Sequence, residues 1–301
     1  MNEMNEKDAT TPRQASTVIL TRLQGGEVQV YLLKRSAGSG FMPGLYVFPG
    51  GTVEPQDRSY SFWLDHVDLD PTEMVQRFGR EMGVKQMLAH AIAAVRETLE
   101  EAGVLLAAGK DLQAVESHLI RRIREGSGDG SSGFQQEVRK ADLRLRISLL
   151  TPWAHWITPR VNSRRFDTRF FHCHIPEGQH CIPDFVEAVD GLWISPAQAL
   201  EGNRTGRIPL SPPTLVTLFE LHQCGGAEGL ARRLRNGSWG EPRRPKIRFS
   251  EGRVLILLPW DPCYGEEGDD SDPIPQGRLV SLDEPFSRLV HREGLWHPAC
   301  P

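Results

Sequence analysis

The chain has 301 residues, 39% of them hydrophobic and 25% charged, with a formal net charge of −4. That is long enough for one large or two small domains with a real core. The charge balance excludes a general attraction to nucleic acid or to an anionic membrane.

In chain order, the polar residues 1–14 show no apolar periodicity and are expected to be disordered. The runs "STVILTRL" and "VQVYLLKRS", joined through Gly25-Gly26, predict a hairpin. A glycine-punctuated stretch then ends in "LYVF" and Pro49-Gly50-Gly51. Residues 58–90 contain a helix start at Pro71. A helical pattern covers about Met82 to Ala102 and stops at Gly103. A second helix is expected over 111–125, ending in the loop "EGSGDGSSG".

Strands follow in "HWIT", "TRFFHCHI" and "EAVDGLWIS", and Ser211 caps a helix through "SPPTLVTLFELHQC". From Gly240 onward proline, arginine and acids dominate, with one convincing strand, "RVLILLPWD", and an acidic loop, "GEEGDDSD". No repeat is visible, and the mixture of strands and helices is α/β or α+β in character. The five cysteines, Cys173, Cys181, Cys224, Cys263 and Cys300, are too few and scattered for a disulfide framework. The polar opening segment, the absence of long apolar runs and the final "WHPACP" lead to an expected cytoplasmic, membrane-free protein.

The most informative segment is "AVRETLEEAGVLL", Ala94 to Leu106. At about 100° per residue, Glu97, Glu100 and Glu101 converge on one side of a helix, while Ile92, Val95, Leu99 and Ala102 take the other. Arg96 stands four before Glu100 and can pair with it. A solvated helix face is the ordinary reading of such charges. Three like charges in one turn repel, however, and a hard divalent cation such as Mg²⁺ or Mn²⁺ would relieve them through oxygen ligands.

"FPGGTVEPQD" followed by "RETLEEAGV" resembles the signature of the Nudix hydrolase superfamily. Gly51 matches its opening glycine, Asp57 takes the place of its first glutamate, and Arg96, Glu97, Glu100, Glu101, Gly103 and Val104 match its second half. Thr98 sits at a usually aliphatic position. Arg96 stands 45 positions after Gly51, where the pattern has 14, so 31 residues are inserted. Such an insertion resembles the peroxisomal coenzyme A diphosphatase-like branch, as do "LLKRS", "WITP", "RRFDTRFF" and "LWISPAQAL".

The resemblance implies a Nudix fold, a mixed β-sheet flanked by helices, over 15–240, with a helical insertion at 58–90 and a C-terminal extension over 241–301 holding at least one strand. It implies that Glu97, Glu100, Glu101 and the Gly51 carbonyl bind Mg²⁺ or Mn²⁺, with Arg96 orienting the glutamates and Gly50 and Gly51 beside the substrate. Glu187, six residues before Trp193, is the candidate for a further ligand or base. Arg160, Arg164, Arg165 and Arg169 are candidates for substrate phosphates. Solvated loop arginines, with an Arg165–Asp167 pair, are the plainer reading of them.

A zinc site from His172, Cys173, His174, His180 and Cys181 is not expected. Strand alternation separates Cys173 from His172 and His174, and zinc-type spacing is missing. Trp153 and Trp156 read as core rather than as base-stacking platforms. The implied reaction is diphosphate hydrolysis of coenzyme A or its acyl esters to 3′,5′-ADP and 4′-phosphopantetheine. The alternatives are NADH, ADP-ribose or another dinucleotide, or a nucleotide-sensing module without turnover. The expected partner is a small nucleotide; a homodimer stays open.

Overall fold

The computed structural model describes residues 11–40, 42–109, 113–126, 131–250, 252–265 and 277–301. The main sheet contains β1 (Arg13–Gln24), β2 (Glu27–Arg35), β3 (Tyr46–Val47), β4 (Gly50–Thr52), β7 (Thr151–Ile157), β8 (Phe166–His174) and β9 (Ala188–Ile194). The short β5 (Ala107–Ala108) and β6 (Arg144–Leu145) pair with each other outside it. The path runs β3-β2-β1-β8-β7, with β1 parallel to β8 and the neighbouring pairs antiparallel.

One irregularity in this sheet creates the site. β1 and β2 pair only near their hairpin, from Thr21↔Val30 to Gln24↔Glu27. Beyond that they splay, and chain 46–52 fills the gap: β3 pairs Leu33 and Lys34 of β2, while β4 pairs Ala15 to Thr17 of β1. β9 occupies the other edge of β2, so β3 must lie on the β1 side. The glycine turn is thereby wedged into the opening between two strands.

Side chains alternate across the sheet and feed two cores. Val18, Leu20, Phe171 and Cys173 face one layer of helices: α1 (Tyr60–Asp65), α2 (Pro71–Phe78), α3 (Val84–Ala102), α4 (Ser117–Gly126) and α5 (Ser131–Lys140). Ile19, Val30, Leu32 and Phe170 face the opposite layer, α6 (Pro196–Arg204), α7 (Pro212–Gln223) and α8 (Ala227–Arg235). The helix–sheet–helix sandwich agrees with the α/β reading.

Residues 58–90 hold α1, α2 and the start of α3, joined by irregular chain, and their Trp63, Met74 and Phe78 are buried in the first core. Asp70 forms a reciprocal capping box with Glu73 at the start of α2.

Several expectations need correction. Residues 1–10 lie outside the description, but Arg13 and Gln14 already belong to β1 rather than to a disordered tail. The helix expected over 111–125 is described from Ser117, with 110–112 outside the description. Ser131, read as loop, opens α5.

The C-terminal extension is richer than one strand. β10 (Lys246–Ser250), β11 (Arg253–Leu257), β12 (Arg278–Leu279), β13 (Arg288–Arg292) and β14 (Leu295–Cys300) form a five-stranded sheet in the order β10-β11-β13-β14-β12. Most of "GEEGDDSD" lies outside the described residues. The buried ion pair Arg288–Asp261, at 2.8 Å, holds this sheet to the loop after β11. Arg243 ties the extension to the main sheet, since its N–H donates to the His155 carbonyl and its carbonyl accepts from Ile157.

Trp63 is fully buried in the first core, so Trp63→Ala is expected to cost about 3–5 kcal/mol. Urea unfolding should show this as a lower midpoint at an unchanged slope. A loss below about 1 kcal/mol would mean that the segment is merely appended to the core.

Candidate active site

Helix α3 presents its acids on a face that is less solvated than its sequence suggests. Ile92, Val95, Leu99 and Ala102 are fully buried, but Arg96 and Glu101 are buried too, at 1% and 7% exposure. The glycine turn and the segment 54–58 cover that side. The departure at Thr98 is accommodated locally, because its hydroxyl donates to the Ala94 carbonyl at 2.7 Å.

Arg96 uses every N–H it has. Nε and Nη2 donate to the two oxygens of Asp57 at 3.1 and 2.9 Å, and Nη2 also donates to the Thr52 carbonyl at 2.9 Å. Nη1 donates to Glu97 Oε1 at 2.8 Å and to Glu100 Oε2 at 2.9 Å. Asp57, noted in the sequence only as a shortened glutamate, is therefore the fully buried partner of Arg96, and it also accepts from the Glu54 N–H.

The glycines bring backbone close to the acids. Gly50, at φ 156°, donates its N–H to Glu101 Oε2 at 2.8 Å, and a Cβ there would lie 2.3 Å from the Ser16 carbonyl oxygen. A Cβ on Gly51 would lie 2.3 Å from Glu97 Oε1. Glu97 and Glu101 thus lie against the glycine turn, and Glu100 joins Glu97 through the shared Arg96 Nη1, although among the described residues the three acids do not yet close into a ready-made metal cage.

The cluster holds more negative charge than Arg96 neutralises. Burial raises Glu97 to about 7, with Arg96 opposing the shift and Glu100 adding to it. Burial likewise raises Glu100 to about 7 against the pull of Arg96. Glu101 is pushed well above the ordinary carboxylate range by burial and then by Glu97, with the Gly50 N–H opposing. Burial also raises Asp57, although Arg96 pulls the other way. Glu100 Oε1 is buried without a partner among the described residues. An oxygen-rich, anionic donor set with an unpartnered oxygen suits a hard divalent cation.

These groups open onto a cleft of about 1260 Å³. The cleft exceeds the roughly 300–1,000 Å³ of common ligand pockets. Glu187 lies on its rim: its exposed side chain lines the cleft and its charge helps raise Glu101. The loop before it is ordered by Asp184, whose carboxylate accepts from the N–H groups of Val186, Glu187 and Ala188.

Of the four arginines expected at the phosphates, only Arg164 lines the cleft, where it lies against Gly40. Arg160 is exposed elsewhere, and Arg165 donates to the Thr158 carbonyl. Arg169 falls on the opposite face of β8 from Thr168 and Phe170, buried over the Trp239 ring at 5.2 Å. Asp167 pairs with His155 at 2.6 Å and not with Arg165.

Besides Arg96, the cations that line the cleft with Arg164 are Arg13, Arg35, Arg121 and Arg124. They come from the ends of β1 and β2 and from α4, so no local spacing announced them. Arg124 also donates to the Glu100 carbonyl at the end of α3.

Trp153 is core and donates to Glu220 at 2.9 Å, whereas Trp156 is both buried and part of the cleft wall. Cys173 faces the first core, while the rings of His172 and His174 both meet the Thr21 hydroxyl on the other side of the strand.

The raised carboxylates set a sign for stability. A group shifted from 4.5 to about 7 stabilises the fold fully below 4.5, and that contribution is lost as pH rises through 7. Metal-free wild type should therefore lose more Tm than Glu97→Gln between pH 5 and 8, by several degrees (~2–4 °C per kcal/mol). Added Mn²⁺ should restore stability mainly at the alkaline end. Parallel Tm profiles for the two proteins would sink this account of the cluster.

The family model described as the NUDT19 Nudix domain matches residues 11–221. The chain is similar to the acyl-coenzyme A diphosphatase NUDT19 of Homo sapiens, 31% identical over 80% of this chain and 73% of that one. It is also similar to the protein of that name from Xenopus laevis, 28% identical over 90% of this chain and 80% of the other. A solved Nudix hydrolase from Alicyclobacillus acidocaldarius superposes with a TM-score of 0.61 at 27% identity, covering 77% of this chain and 99% of its own. Among the described residues no helix is long and apolar enough to cross a membrane. With a matching domain that spans well over half of its length, this chain belongs to the NUDT19 family of Nudix hydrolases.

Proposed function

We propose that the protein hydrolyses the diphosphate of coenzyme A or acyl-coenzyme A in a reaction dependent on Mg²⁺ or Mn²⁺, releasing 3′,5′-ADP and a 4′-phosphopantetheine product. The observation that carries this reading is the contact of Glu97 and Glu101 with the Gly50–Gly51 turn, with Glu100 held beside Glu97 by Arg96, all lining one large cleft. The similar proteins named acyl-coenzyme A diphosphatase support the choice of substrate.

Glu97, Glu100, Glu101 and the Gly51 carbonyl would hold the metal. When bound, it would supply charge neutralisation at the diphosphate and a lowered pKa for attacking water. The remaining work falls to the chain itself. Arg96 fixes the rotamers of Glu97 and Glu100 and keeps them from folding back on each other. The Gly50 N–H holds Glu101 in register with the turn.

Glu187, on the rim and electrostatically coupled to Glu101, is placed to accept a proton from water or to add an oxygen ligand. Arg164, Arg35 and Arg13, together with Arg121 and Arg124, offer the guanidinium groups that a diphosphate and a 3′-phosphate require.

The test is mass-spectrometric product analysis with coenzyme A, acyl-coenzyme A, NADH and ADP-ribose in Mg²⁺ or Mn²⁺. Coenzyme A compounds should be cut at the diphosphate, and Glu100→Gln/Glu101→Gln should lower the rate by at least about 100-fold. Intact coenzyme A beside cleaved NADH or ADP-ribose would overturn the substrate assignment.

A further inference from the structure

Part of the cleft wall comes from beyond the matched domain. Pro245, Ile247, Ile256, Leu258 and Trp296 all line it, and all follow residue 221. Ile247 of β10 stands directly opposite Ile256 of β11, and Leu258 lies two residues further, so the three share one face. Leu255 points the other way, into a small core with Val290 and Ala299.

This wall is locked in place. Arg243 lies over the Trp156 ring at 5.2 Å and pairs with Glu220 of α7 at 2.6 Å. Asn203 of α6 donates to the Trp296 carbonyl at 2.8 Å.

The chemistry of the wall is hydrocarbon. Trp296 is the single aromatic among its described lining residues, whereas Phe48, Phe166 and Phe170 come from the domain itself. A purine needs a stacking face and partners for its polar edge. Aliphatic side chains supply neither, but they reward each buried methylene with roughly fourfold in affinity. Where the extension joins the domain, Trp156 lines the cleft, and its indole N–H has no partner among the described residues. A buried donor of that kind calls for a carbonyl oxygen.

We infer that the C-terminal extension is the acyl subsite. The hydrocarbon chain of an acyl thioester lies along Ile247, Ile256, Leu258 and Trp296, a carbonyl of the pantetheine–thioester arm accepts from Trp156 Nε1, and this wall sets the accepted chain length. The inference rests on the coenzyme A reading above and assigns residues that lie outside the Nudix domain to substrate choice.

The test uses the full chain with free coenzyme A and saturated acyl-coenzyme A esters from butanoyl to palmitoyl. Wild type is compared with Ile247→Phe, which fills the cleft, and Ile247→Ala, which empties it. The ratio of kcat/KM for each ester to that for free coenzyme A should move the preferred length shorter in the first variant and longer in the second. For the longest ester the two variants should differ by at least about tenfold.

In parallel, equilibrium binding of free and acylated coenzyme A to Glu100→Gln/Glu101→Gln, with and without Ile247→Phe, reads the subsite without turnover. Superimposable length profiles in all three proteins, or equal binding of free and acylated forms, would overturn the inference. Cleavage of coenzyme A with no length response sinks the subsite and leaves the hydrolytic reading standing. Acyl-dependent, Ile247-sensitive binding without cleavage does the reverse.

Discussion

The guanidinium of Arg96 is the joint on which the site depends. It is buried to 1% exposure, and its donors reach Asp57, Glu97, Glu100 and the Thr52 carbonyl. The contacts at Asp57 and Thr52 staple helix α3 to the chain that follows the glycine turn. Those at Glu97 and Glu100 aim carboxylates. Removing one partner of such a buried pair strands the other, at a cost of about 3–5 kcal/mol. One residue thus couples folding of the helix against the turn to the posture of the acids. The same guanidinium cannot neutralise four carboxylates, which is why burial lifts Glu97, Glu100 and Glu101 rather than leaving them ordinary surface acids.

The second constraint is steric and belongs to the sheet. Because β1 and β2 part company beyond Val30, chain 46–52 can be threaded between them, and where it runs against β1 its glycines carry no side chain. Glycine at 50 meets the Ser16 carbonyl and Thr17 on one side, and glycine at 51 leaves the space that the Glu97 carboxylate occupies. A larger residue at either position would push the turn off β1 or push Glu97 out of reach of Arg96. Packing density, rather than any direct chemical role, makes these two positions demanding.

These facts explain what the sequence could and could not convey. The acids were legible because a helix repeats every 3.6 residues, so Glu97, Glu100 and Glu101 could be placed on one side from spacing alone. The glycine turn was legible from "FPGG" despite 31 intervening residues, because both halves of the pattern remain nearly intact. The burial of Arg96 was not, since the residues that cover it, Asp57 and Thr52, are about 40 positions away. The arginines failed for a different reason. Alternation along β8 sends Arg169 away from the cleft, while Arg13, Arg35 and Arg124 reach it from separate elements that only tertiary folding brings together. The five-stranded extension was hidden by its composition, for Arg278–Leu279 is too short for a pattern and Pro298 interrupts another strand.

The separation between the acidic helix and the aliphatic wall has a consequence for how such a molecule can change. The acids stand on α3, whose back faces the first core, and every donor of their organising arginine is committed. The wall stands on a different sheet, packs on the second core rather than the first, and is braced by its own buried pair, Asp261–Arg288. Substitutions at Ile247 or Trp296 therefore reshape the far side of the cleft without passing strain into α3, since distant sites that share no partner act additively. On the proposed reading, the center for the diphosphate and the surface for what is attached to it are built from different layers of one chain. That division would let the reacting geometry stay rigid while the accepted substrate varies.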